Sequence, residues 1–258
     1  EIDEDALRHN YQQFLTIAGG QDIAPVLKSN AYGHGFEEVY TALSKESPKW
    51  ICVNYVSEAA KLRDLGYKKR ILVVGPASSE FLNLAAKIDA EIVVGNAEIL
   101  DEIISQKLLV KIHLKFDTGM NRQGFKVSET ADLIDRVKPI KSQIEGISTH
   151  FANVEDVTDQ EFADLQLSKF RDVGEKFTAA KIDCLHHIAS SASCLLMDNS
   201  RPQLSRIGIS LYGFWPSKAT RISYLQTYNE LLELRPVLSW FTEISSIKEV
   251  GADEFIGY

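Results

Sequence analysis

The chain predicts an α/β fold: a (β/α)8 barrel of the TIM type, followed by the start of a second, all-β domain. Short Val/Ile/Leu-rich runs alternate with segments of helical periodicity over roughly the first 200 residues. Those runs are apolar nearly throughout, as strands of a parallel sheet covered on both faces are. After Leu231 the helical segments stop and β-forming residues alternate instead.

Taken in order, the opening EIDEDALRHNY reads as strand-like. Strands are expected at 23–27, 50–53, 70–74, 91–94, 110–116, 144–149, 184–188 and 203–207, with helices at 36–45, 57–65, 97–107, 128–137 and 160–178. Ser57, Ser78 (ahead of Phe81 and Leu82), Asn96 and Asp159 stand where helix N-caps belong. Strand signals in this number, each leading into a helical segment, fit the eight-fold barrel. A doubly wound open sheet shares the same local grammar. The first strand-to-helix turn, KSNAYGHG, is not GxGxxG, so no dinucleotide fingerprint favours that alternative. Residues 1–230 are assigned to the barrel and 231–258 to the beginning of the β domain. There 237–250 alternate, 251–254 read as a hairpin turn and 255–258 as the next strand. A few strands cannot bury a core alone, so the chain is expected to stop inside that domain, with both ends cut.

Composition narrows the function. A net charge of −8 without a basic block argues against nucleic-acid binding. The longest apolar runs, ILVVG at 71–75 and EIVVG at 91–95, are too short to cross a bilayer, and a cytoplasmic protein is expected. Cys52, Cys184 and Cys194 lack metal-ligand spacing, and their odd number argues against a disulfide framework.

Six segments at strand ends carry candidate chemistry. VLKSNAYGHG (26–35) places Lys28 at the C-terminal end of the first strand. By default such a lysine is a solvated charge. At a barrel mouth, burial favours the neutral amine that attacks a carbonyl. LKFDTGMNRQGF (114–125) could be a plain glycine turn, yet it crowds Lys115, Asp117 and Arg122 at one strand exit. STHFAN (148–153) ends the sixth strand and carries His150, a histidine as easily structural as functional. HHIASSAS (186–193) and SRIGISLYG (205–213) close the last two strands, where barrels often bind phosphate. Ser191 can donate a hydroxyl there, and Gly208 and Ile209 main-chain N–H groups. VGADEFIGY ends the chain at Tyr258, by default a packing residue.

In this order the segments resemble the motifs of the alanine racemase family over essentially the whole chain. The resemblance implies an isomerase that uses pyridoxal 5′-phosphate to interconvert L- and D-alanine, supplying D-alanine for peptidoglycan. Lys28 would hold the cofactor and serve as one base, and Tyr258, reaching the site of a partner subunit in a homodimer, as the other. Tyr32, Ser191, Gly208 and Ile209 would serve the phosphate, and His150 would stack on the pyridine ring. Arg122 would contact the cofactor's phenolic oxygen and the substrate. Arg206 would donate to the pyridine nitrogen and discourage its protonation. Lys115 corresponds to a lysine often carbamylated in that family. Three departures stand out: Ser29 where alanine is common, Gln123 where an apolar residue is commoner, and Ser190 in place of asparagine. The alternatives are a racemase preferring serine, a non-catalytic pyridoxal-phosphate homeostasis protein, and a metal-assisted barrel enzyme acting on D-threonine or D-serine. No metal site is expected in this chain.

Overall fold

Each of the eight strands expected for the barrel forms, within two residues at either end. In the computed structural model, which describes residues 1–197 and 203–257, they are β1 (Asp22–Pro25), β2 (Trp50–Val53), β3 (Arg70–Val73), β4 (Glu91–Val94), β5 (Ile112–Asp117), β7 (Ile144–Ser148), β8 (Leu185–His187) and β9 (Leu204–Ile207). A two-residue strand, β6 (Phe125–Lys126), pairs with the end of β5. Parallel pairing runs β2-β3-β4-β5-β7-β8, and β1 pairs in parallel with β9. Two contacts close the ring. Leu27 N–H donates to the Cys52 carbonyl at 2.8 Å, and Arg206 N–H to the Ala189 carbonyl at 3.1 Å. That closure rules out the open sheet.

Around the ring lie α1 (Glu4–Ala18), α2 (Lys28–Tyr32), α3 (Phe36–Ser44), α4 (Val56–Asp64), α5 (Leu82–Lys87), α6 (Ala97–Ser105), α7 (Thr130–Val137), α8 (Glu161–Ala179), α9 (Ser191–Leu196) and α10 (Lys218–Tyr228). Strand alternation divides the core between two layers. On β5, Ile112, Leu114 and Phe116 join the apolar layer between sheet and helices. His113 and Lys115 turn the other way, His113 to bond the lumen residue His187 and Lys115 to line the mouth. A smaller apolar cluster of Ala24, Val26, Trp50, Cys52, Leu72, Val93 and Leu204 fills the lumen.

Four expectations need correction. The opening is not a strand: Asp3 caps α1 by accepting from Ala6 N–H at 2.8 Å, and Leu7, Tyr11 and Phe14 bury one face. Ser57 lies inside α4. Its cap is Tyr55, and the Glu58 carboxylate accepts from Asn54 N–H at 2.7 Å and Tyr55 N–H at 3.1 Å. Gln160, not Asp159, caps α8, although Asp159 accepts from Glu161 N–H at 3.0 Å. Lastly, the alternating tail does not pair as strands. Leu238 bridges Ile2 antiparallel, and among the described residues beyond it no strand forms. Trp240 is 89% exposed and Phe255 97%, because alternation makes a strand only where an edge offers it a partner. The 251–254 turn is present, with Asp253 at φ 67°.

One buried amide ties the first helix to the chain after the barrel. Asn10 donates to the Leu211 carbonyl at 3.0 Å and the Arg235 carbonyl at 2.8 Å, and accepts from Arg235 N–H at 2.8 Å. Asn10→Ala strands these groups in the interior. It is expected to lower unfolding stability by about 1–3 kcal/mol, read as a lower urea midpoint. An unchanged midpoint would show the three groups to be solvated.

Candidate active site

Lys28 follows β1 at the mouth of the barrel and opens an unusual turn. Ser29, Asn30, Ala31 and Tyr32 all have φ of 54–55°, so the backbone winds left-handed. For L-residues this costs roughly 1–2 kcal/mol each, and the surroundings hold it. Ser29 N–H donates to Glu58 Oε1 at 3.1 Å, Ala31 N–H to the Leu27 carbonyl at 2.9 Å, and Phe36 N–H to Asn30 Oδ1 at 2.9 Å. Strain retained at a strand end marks a place where geometry matters more than stability. The turn brings Tyr32 back beside its own lysine, with Lys28 Nζ 5.8 Å from the Tyr32 ring centroid.

Lys28, Tyr32, Lys115, Arg122, His150, Ser191, Arg206, Gly208 and Ile209 all line one cavity of about 610 Å³. Tyr258 lies outside the described residues. The cavity is strongly cationic. Among the described residues no ion pair joins Lys28, Lys115, Arg122 or Arg206 to a carboxylate. Asp117, which the sequence sets between two of them, instead accepts from Gly119 N–H at 2.9 Å and Asn121 N–H at 3.0 Å, shaping the loop that carries Arg122. Burial, then Arg122 and Arg206, bring the Lys115 ammonium down to about 8. The same three causes lower Lys28, although Cys52 and Glu58 oppose them. Burial and Arg206 hold His150 neutral, its pKa pushed down to about 3.

Arg206 is the most constrained of the four cations. It donates through Nη1 to His187 Nδ1 at 2.5 Å, and through Nη2 to the Thr149 carbonyl at 3.0 Å and the Ile188 carbonyl at 3.2 Å. Its Nη2 also lies 3.4 Å from His150 Nδ1. Among the described residues its Nε–H has no partner. Near it, Ser191 Oγ accepts from Gly208 N–H at 3.0 Å. That amide is therefore used inside the protein rather than offered to an anion, while the Ser191 proton stays available. Gly208 must be glycine for a simple reason: a Cβ there would lie 2.4 Å from the Tyr32 hydroxyl.

Sequence reading missed His187, Ser148 and Glu155, which line the same cavity, and the buried His113 and Glu91 beneath it. The available signal was polarity: EIVV, HLKFD and LHH put one, three and two titratable side chains into strands of a buried sheet.

A closed barrel with a lysine amine, two further cations and, among the described residues, an unpartnered guanidinium N–H at its C-terminal mouth has the charge that suits an anionic ligand. The comparisons sharpen this. The family profile "Alanine racemase, N-terminal domain" matches residues 2–216. An alanine racemase of Leptospira interrogans is 34% identical over 264 residues, covering 100% of this chain and 67% of the relative. One from Listeria monocytogenes is 34% identical over 263 residues, covering 100% and 68%. The crystal structure of the Streptomyces lavendulae alanine racemase superposes with a TM-score of 0.83 at 28% identity, covering 92% of this chain and 63% of that one. The chain belongs to the alanine racemase family, and it spans about two thirds of the length of these relatives.

Proposed function

We propose that the chain is the cofactor-binding barrel of a pyridoxal-phosphate-dependent alanine racemase, with 1–230 as the barrel and 231–258 as the beginning of a C-terminal β domain. What supports this reading best is that Lys28, Ser191 and Arg206, from three separate strand ends, open on one cation-rich cavity. The residues fit the cofactor. Its phosphate is an anion for a site whose cations, among the described residues, lack carboxylate partners, and its ring nitrogen needs the kind of N–H that Arg206 leaves without a described partner.

When bound, pyridoxal phosphate would supply an aldehyde to carry the amino acid and a conjugated ring to withdraw electrons from its Cα. Lys28 Nζ would hold that aldehyde and, once released, take or return the Cα proton on one face. A lowered pKa favours the neutral amine this work needs. The Tyr258 hydroxyl, from a second copy in a homodimer, would serve the opposite face, so inversion needs no rotation of the substrate. Arg122, exposed at the rim, would meet the cofactor's phenolic oxygen and the substrate carboxylate. His150 would press a neutral ring on the pyridine, and Tyr32, Ser191 and the backbone N–H of Ile209 would hold the phosphate, with the Gly208 N–H holding Ser191 Oγ in place. Carbamylation of Lys115 would give the cluster its missing anion. D-alanine for peptidoglycan would be the physiological product.

The test is racemisation by the full-length, cofactor-loaded protein against single-enantiomer amino acids. The expected result is fastest turnover of alanine in both directions. Equal or faster turnover of serine would move the substrate assignment, and cofactor binding without turnover would overturn the enzyme reading.

A further inference from the structure

Beneath the mouth, a line of polar side chains crosses the apolar lumen. His187 Nε2 lies 2.9 Å from His113 Nδ1, and His113 Nε2 lies 2.8 Å from Glu91 Oε2. Arg70 grips that carboxylate at both oxygens, Nε to Oε1 at 2.5 Å and Nη2 to Oε2 at 2.7 Å. Arg70 in turn stacks on Trp50, its Cζ 3.9 Å from the ring centroid, and reaches Glu145 at 2.6 Å. Glu91, His113 and His187 are each at most 1% exposed.

The direction of every bond in this line follows from its upper end. A guanidinium only donates. His187 Nδ1, receiving Arg206, therefore carries no proton, and its single proton sits on Nε2. That proton points at His113 Nδ1, which must be bare as well. The His113 proton is then on Nε2 and goes to Glu91, which must be ionised to accept from both His113 and Arg70. Electrostatics agree at both ends. Burial, then Arg206 and His113, hold His187 far below the ordinary imidazole range. Burial raises the Glu91 carboxyl, but the hydrogen bonds from His113 and Arg70 outweigh it and leave it below its usual value.

A second observation is steric. Gly146 on β7 faces His113, where a Cβ would fall 2.3 Å from Nδ1, the atom that accepts from His187. The β5–β7 register slips at this point, between Ile112 and His113. Glycine and slip together clear the space in which the His113 ring stands upright in the lumen.

We propose that Glu91, His113 and His187 form a one-way hydrogen-bond relay, anchored by Arg70, that positions Arg206 and turns its Nε–H toward the cavity. This rests on the reading of Arg206 as the group facing the cofactor ring, but the relay exists without cofactor and can be measured without it. The ionic pair at the barrel base fixes one imidazole, that imidazole fixes the next, and the next fixes the guanidinium. His113 and Glu91 are thus positioning residues, two and three contacts removed from Arg206.

Side-chain 15N NMR of the cofactor-free chain reads the tautomers directly. Both His113 and His187 are expected as neutral Nε2–H forms at neutral pH. An Nδ1–H form or an imidazolium at position 187 would overturn the relay while leaving the racemase reading intact. Glu91→Gln puts an amide N–H against a guanidinium or an imidazole N–H, and is expected to spread both histidines over two tautomers. Gly146→Ala should do the same without changing any charge. Glu145→Gln, which removes only an outer partner of Arg70, should leave both signatures in place; an equal disturbance there would mean that any charge lost at the barrel base suffices. In loaded enzyme Glu91→Gln should lower kcat on the order of tenfold with KM little changed, whereas a loss confined to KM would contradict a positioning role. Should Glu91→Gln fail to fold, the native tautomers and Gly146→Ala still decide the matter.

Discussion

Lys28→Ala is expected to yield a folded protein that stays colourless after incubation with pyridoxal phosphate and dialysis, and in full length loses racemisation by ~10³-fold or more. Two separate losses underlie that size. The amine that would hold the aldehyde is gone, and so is the proton carrier on one face of Cα. Folding should not suffer. In the fold, burial and the neighbouring Arg122 and Arg206 lower the Lys28 pKa. A lysine with a lowered folded pKa opposes folding while the pH lies below that value, and the penalty fades as pH rises toward the unfolded value. Removing it at neutral pH relieves the penalty, so the urea midpoint of cofactor-free Lys28→Ala should equal or exceed that of the parent. Colour that survives dialysis would argue that another amine holds the cofactor, with Lys115 the next to test. Loss of colour together with a lower midpoint would mean that Lys28 supports the left-handed turn rather than the chemistry.

How much of this was legible in the sequence depends on how local each feature is. The strands of the ring were readable because each is an apolar run with its own boundaries, and Asn96 was readable as a cap because its partner, Ile99 N–H, lies three residues on. The opening helix was misread. Glu4 and Asp5 look like interruptions until Asp3 caps the first turn, and its apolar stripe is diluted by the buried Asn10, whose partners lie 201 and 225 residues away. The tail failed for the opposite reason. Its alternation is real, but a strand is a property of a pair. At the site, Lys28, His150 and Arg206 stood out because strand ends in a barrel converge on one mouth wherever they fall in the chain. The support below them did not stand out. Glu91 and His113 are 22 residues apart, and His113 and His187 are 74 apart, so only closure of the barrel makes them neighbours. Nor could the sequence show that the Gly208 N–H would be spent on Ser191 rather than left for an anion.

Arg206→Glu is the substitution expected to change what the enzyme makes as well as how fast. On the proposed reading, a guanidinium at the pyridine nitrogen could only donate, so the nitrogen would stay unprotonated and the ring a moderate electron sink. A carboxylate at 206 reverses the polarity and favours a protonated ring. Charge left longer on the substrate then has more chance to be protonated away from Cα, which leads to keto acid instead of the opposite enantiomer. The relay makes the exchange less disruptive than a change of two charges suggests. Facing a carboxylate, His187 would move its proton to Nδ1 and present a bare Nε2 to His113. His113 could meet it only by carrying protons on both nitrogens, and an imidazolium there would sit directly on ionised Glu91 at the present 2.8 Å. One proton taken up at His113 would thus offset part of the charge lost at 206. The expected result is slower racemisation, more keto acid released per racemisation event by on the order of tenfold or more, and a new imidazolium signature at His113 by 15N NMR. An unchanged product ratio would remove Arg206 from control of the ring's electronics, and a changed ratio without the imidazolium would remove the relay from it.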